Sequence, residues 1–187
     1  MKFNDINNPR ELLNYMNENV VYGFIGNNKK IYTDTESEEW LDWYNECRVQ
    51  TGEEIIKTNV GTCWDQVELE RLWFEKHNYE FKTIFIYFEV DYENNFPTHS
   101  FLIFKKNDKW YWFEHAFGEY EGIYEFDSIE GAIKYIKNAF LNRAIEMNCA
   151  TIDDKNLIKM YEFNKFEKKL TVDEYINHVT NGGKLWE

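Results

Sequence analysis

Three side chains of the kinds that carry out acyl transfer stand in this sequence: Cys63 in Asn59-Val60-Gly61-Thr62-Cys63-Trp64-Asp65-Gln66, His99 in Thr98-His99-Ser100-Phe101, and Glu114 in Lys109-Trp110-Tyr111-Trp112-Phe113-Glu114. A cysteine in the first turn of a helix is well placed for thiolate chemistry, because unpaired N–H groups and the positive helix end stabilise the anion. Thr62 followed by Asp65 forms a capping-box signature, so a helix is expected to start at Cys63, with Gly61 leaving room beside the thiol. A histidine would then act as general base and a carboxylate would orient it. The developing oxyanion would meet the Cys63 N–H and a second donor. Gln50 and Asn59 both precede the nucleophile and carry side-chain amides; the sequence prefers neither.

Whether Glu114 can reach His99 depends on a hairpin. His99, Phe101 and Ile103 share one strand face, as do Trp110, Trp112 and Glu114 on the next strand. A two-residue turn at Lys106-Asn107 sets 99 opposite 114. A turn at Asn107-Asp108 sets 99 opposite 116, with 114 a same-face diagonal neighbour. A three-residue turn would bring His115 across instead, which keeps His115 open as the partner, or as a zinc ligand with Cys63 and His99. His77, at a helix end, is read as interacting with the helix dipole.

The surrounding elements follow from periodicity. Pro9 opens a helix ending near Asn19, and Val20 to Gly26 is an extended run closed by the turn cluster Gly26-Asn27-Asn28. A helix is expected over Ser37 to Arg48, burying Cys47, and a loop or short strand over Val49 to Val60. The Cys63 helix runs to about Glu75. From Phe81 the period changes to 2, with strands over Thr83–Val90, His99–Phe104, Lys109–His115 and Gly122–Phe126, and a connecting loop over 91–97. A helix from Asp127 or Ser128 to about Met147, a strand near Leu157–Phe163 and a small helix opened by Thr171-Val172-Asp173-Glu174 complete the chain. Trp40/Trp43 and Trp110/Trp112 read as core and groove wall. Helices followed by an antiparallel sheet describe an α+β domain.

One domain over 1–187 suits 187 residues with 43% hydrophobic content, and 19% aromatics with two prolines favour a sheet-containing core. A net charge of −13 disfavours nucleic acid and anionic membrane surfaces. No run has the length needed to span a bilayer or the form of a signal peptide, so a cytoplasmic location is expected. Cys47, Cys63 and Cys149 are far apart with no CxxC pair, which favours free thiols over a disulfide framework or a zinc knuckle. Neither metal nor other cofactor is called for.

Gly61-Thr62-Cys63-Trp64, Thr98-His99-Ser100-Phe101 and the Lys109-Trp110-Tyr111 approach to Glu114 resemble the transglutaminase-like superfamily, within the papain-like group of cysteine enzymes. The resemblance covers about residues 59–126. The helical part at 9–48 and the helix, strand and helix at 128–180 lie outside it. It departs from the family in having Glu where Asp is usual and Ser-Phe after the histidine where Ala-Trp is common. It implies a nucleophile helix packed on an antiparallel β-sheet, with Trp64 in a supporting role. It further implies thiol-dependent acyl transfer on a protein or peptide substrate, by hydrolysis of a peptide or isopeptide amide or by transamidation. No dedicated calcium loop accompanies it. The alternative from a different class is an inactive papain-like scaffold serving as a peptide-binding module.

Overall fold

A computed structural model describes residues 2–35, 37–38, 43–89 and 97–186. In chain order it contains α1 (Pro9–Asn19), β1 (Val21–Tyr22), β2 (Phe24–Ile25), β3 (Ile31–Tyr32), α2 (Trp43–Glu46), α3 (Gly52–Thr58), β4 (Val60–Gly61) and α4 (Cys63–Lys76). There follow β5 (Glu80–Phe88), β6 (Thr98–Lys106), β7 (Lys109–Glu114), β8 (Gly122–Phe126), α5 (Ile129–Glu146), β9 (Ile158–Glu162), α6 (Val172–Asn181) and β10 (Lys184–Trp186). Six strands form one sheet in the order β10-β9-β5-β6-β7-β8, and every neighbouring pair is antiparallel.

Strand alternation divides the core into two layers. On one face Phe85, Leu102, Phe104 and Phe113 pack with Trp73 and Phe74 of α4. On the other, Ile84, Ile86, Phe101, Ile103 and Trp112 pack with Ile133, Ile136 and Phe140 of α5. The sheet is therefore covered by a helix on each side, a mixed helix-and-sheet architecture. Cys47 is fully buried, and burial raises its thiol pKa far above the usual cysteine range.

Two stretches depart from the periodicity reading. Residues 49–60, expected as loop or short strand, contain α3, whose N-cap Thr51 and Glu54 close a capping box, the Thr51 N–H donating to Glu54 Oε2 at 3.0 Å. The Thr-x-x-Glu signal was present in the sequence but lay in a segment too short to show helical periodicity. Of the helix expected over Ser37–Arg48, the turn α2 is described, while Trp40, Leu41 and the rest of 39–42 fall outside the described residues, as do Val90 of the expected strand and 91–96 of the expected loop. No helix among the described residues is long and apolar enough to cross a membrane.

Candidate active site

Cys63 is the first residue of α4, and Asp65 organises that helix end. Asp65 Oδ2 accepts from the Thr62 N–H and hydroxyl, each at 2.7 Å, while its Oδ1 accepts from the Gln50 N–H at 2.6 Å. A buried carboxylate thus ties the Cys63 turn to the strand-like segment before α3. Burial outweighs these bonds and lifts the Asp65 pKa from 3.8 to about 6. Gly61 packs against this helix rather than against open site space: a Cβ there would lie 2.8 Å from Asp65 Cβ.

The β6–β7 hairpin closes with Lys106 opposite Lys109. Its two turn residues, Asn107 and Asp108, both have positive φ (51° and 60°), the type I′ geometry whose twist suits a two-residue hairpin. The register Leu102↔Phe113 continues to Phe101 opposite Glu114, which makes Glu114 the same-face diagonal neighbour of His99. His99 Nε2 and Glu114 Oε2 are 2.8 Å apart, and both residues are buried (4% and 2% exposed). The other oxygen, Glu114 Oε1, accepts from the Ala116 and Phe117 N–H groups at 2.7 and 2.8 Å. The Phe117 ring stacks on the imidazole at 4.7 Å.

Cys63 and His99 line one cavity, and the Cys63 side chain is near enough to the imidazole to act on its titration. Nε2 faces Glu114, which leaves Nδ1 as the nitrogen that can serve the thiol. Burial by itself would push the His99 pKa down. The Glu114 charge, the nearby Cys63 side chain and the hydrogen bond to Glu114 overcome it and raise the pKa from 6.5 to about 10. The shift favours the protonated, imidazolium form of the ring.

Sequence reasoning passed over Tyr22. Pairing of β1 with β4, Tyr22 against Gly61, brings its hydroxyl to Cys63, close to both the thiol and the Cys63 backbone. The residue as a whole is 38% exposed while the hydroxyl end is enclosed, and burial is the main reason its pKa lies well above the ordinary tyrosine value. A parallel pairing of two-residue strands almost forty residues apart leaves no mark on local periodicity. Glu70, two helical turns beyond Cys63, was likewise unread. It is buried, its Oε2 has no hydrogen-bond partner, and burial followed by the charge of Glu114 holds its pKa well above the carboxylate range.

The other residues raised by the sequence sit as follows. The Gln50 side-chain N–H donates to Val60 O at 2.8 Å and its Oε1 accepts from Thr58 Oγ1 at 3.0 Å, so the amide holds β4 in place. Asn59 ends α3 in the left-handed conformation (φ 57°), and its carbonyl accepts from the Val21 N–H at 2.9 Å. Trp64 is core, stacked on Tyr175 at 4.6 Å with its Nε1 unpartnered. His115 turns Nδ1 to Gln66 Oε1 at 2.5 Å, away from the pair it was weighed for. His77 stacks on Trp73 at 4.0 Å, with Nδ1 2.8 Å from the Trp73 carbonyl. Among the described residues no three His, Cys, Asp or Glu side chains are grouped to hold a metal ion.

No family model and no curated protein matches the chain. Among solved structures, one similar in shape is the arylamine N-acetyltransferase (BACCR)NAT3 from Bacillus cereus, described as having a unique Cys-His-Glu catalytic triad. It shares 11% identity and a TM-score of 0.38 over 91% of this chain and 83% of its own. What the three residues do here rests on their own geometry.

Proposed function

We propose that this chain is a thiol-dependent acyl-transfer enzyme on a papain-like, transglutaminase-like scaffold, with Cys63 as nucleophile, His99 as acid and base, and Glu114 as the residue that holds His99. The observation that carries this reading is one buried imidazole held by a carboxylate at 2.8 Å and sharing a cavity with a helix-start thiol. Such a ring can take the thiol proton and return it to a leaving group.

In the proposed reaction the Cys63 sulfur attacks the carbonyl carbon of a peptide or isopeptide amide. The carbonyl oxygen becomes an oxyanion, taking the Cys63 N–H and the Tyr22 hydroxyl, which turns from sulfur to oxygen. His99 Nδ1 gives its proton to the departing amine, leaving a thioester on Cys63. A water, or an amine in transamidation, then loses a proton to His99 as it attacks the thioester, and the thiol is regenerated. Glu114 stays ionised throughout and stabilises the imidazolium. A raised phenol pKa keeps Tyr22 a protonated donor across the working range.

Labelling with a limiting amount of iodoacetamide at neutral pH tests the nucleophile. Cys63 should react faster than the more accessible Cys149, and His99→Ala should abolish that advantage. A quenched amide or isopeptide substrate then follows turnover. If Cys63 is no faster than Cys149 in the wild-type protein, the scaffold is a binding module. The contact of the Tyr22 hydroxyl with the thiol is the one feature favouring that second reading.

A further inference from the structure

A cavity of about 190 Å³ opens beside Cys63. Its catalytic side is formed by Tyr22, Cys63 and His99, and its far side by Phe117, Phe140, Arg143 and Met147. Aromatic and thioether surface dominates that far side. Among the described residues lining the cavity there is no carboxylate, and Arg143 is the one permanent cation. The Arg143 guanidinium faces the cavity from its lining, while its partners Glu119 and Glu146 and the His99 partner Glu114 are not among the lining residues, on a chain whose overall charge is −13. Low-dielectric walls concentrate the field of such a cation inside a cleft.

From this cavity we infer, resting on the reading of Cys63 as nucleophile, that the acyl part of the substrate is compact and apolar and carries a carboxylate that Arg143 binds. Size sets the first half of the inference. An apolar cavity of about 150 Å³ takes one benzene ring, so the space here holds roughly one ring or a short branched chain rather than several residues of an extended peptide. Arg143 sets the second half. Its partners are Glu146 at 3.5 Å and Glu119 at 4.0 Å, with all three side chains more than two-fifths exposed. Pairs this loose and this wet are readily exchanged. A carboxylate backed by Phe117, Phe140 and Met147 is less screened and can take both guanidinium N–H groups at once.

Two alkylating reagents that differ only in charge test this without knowledge of the substrate: iodoacetate, which presents a carboxylate, and iodoacetamide, which does not. The quantity read is the ratio of their rates at Cys63, by mass spectrometry, with Cys149 of the same molecule as the internal reference. Arg143→Gln is expected to lower the ratio at Cys63 by about three- to tenfold while leaving the iodoacetamide rate and the ratio at Cys149 unchanged. Arg143→Lys, which keeps the charge, should retain most of the preference. Comparison with the variant is essential because the His99 imidazolium itself favours the anionic reagent. A ratio identical in wild type and Arg143→Gln overturns the role of Arg143 while leaving the nucleophile intact. Slow reaction of Cys63 with both reagents overturns the nucleophile reading and this inference together.

Discussion

At the scale of single residues, the decisive contact is between His99 and Glu114. Replacing Glu114 with Gln keeps the shape but removes the charge that, after burial, contributes most to the high His99 pKa. Turnover is expected to fall by about 10²- to 10⁴-fold, the range for losing an orienting carboxylate. The pH–rate profile gives a second readout. In the wild type the alkaline limb belongs to the coupled Cys63–His99 pair and should lie near the His99 value of about 10. In Glu114→Gln it should move toward neutrality, and an unmoved limb would show that Glu114 does not act through His99. Tyr22→Phe tests the hydroxyl. As an oxyanion donor its loss should lower kcat by roughly 10²- to 10³-fold without slowing iodoacetamide at Cys63. Faster turnover in this variant would mean that the hydroxyl merely covers the thiol.

At the scale of elements, the position of Cys63 depends on how α4 starts and on how closely α3 lies against it. Asp65→Ala strands the Gln50 and Thr62 N–H groups in a buried position and removes the cap. A loss of about 2–4 kcal/mol is expected in urea unfolding, together with a slower Cys63. Gly52 shows how tight the α3–α4 contact is, since a Cβ there would lie 2.5 Å from the Glu68 carbonyl oxygen. That atom belongs to the backbone and cannot swing aside, so Gly52→Ala should cost about 1–3 kcal/mol by forcing α3 away. A Gly52→Ala protein as stable as the wild type would contradict this packing.

For the whole molecule, the pH dependence of stability follows from several buried groups of one sign. Asp65 is raised from 3.8 to about 6, Glu68 from 4.5 to about 7, and Glu70 well above the carboxylate range, each chiefly by burial. A folded pKa above the unfolded one gives a contribution complete below the unfolded value and lost as pH rises through the folded value. For Asp65 and Glu68 that loss spans about pH 4 to 7. For His99 it spans 6.5 to about 10. Self-repulsion of an acidic chain grows in the same direction. The melting temperature at constant ionic strength should therefore fall steadily from pH 5.5 to 9.5, and Glu70→Gln should flatten the fall. A maximum between pH 7 and 8 would mean that these carboxyls ionise without penalty.

The sequence by itself determined what acts locally. The Thr62/Asp65 capping box marked the start of α4, because its partners are three residues apart. The alternation in β6 and β7 put His99 and Glu114 on matching faces, because side chains in strands repeat every two residues. It left the turn open among three registers, and positive φ at Asn107 and Asp108 selected the one that makes the two residues diagonal neighbours. Tertiary structure alone decided the rest. Tyr22 reaches Cys63 through the β1–β4 pairing, and Arg143 shares a cavity with Cys63 because α5 covers one face of the sheet. Gln50, chemically suited to donate to an oxyanion, instead holds Val60. Contacts between residues tens of positions apart depend on how layers pack, and a single sequence carries no periodicity that records them.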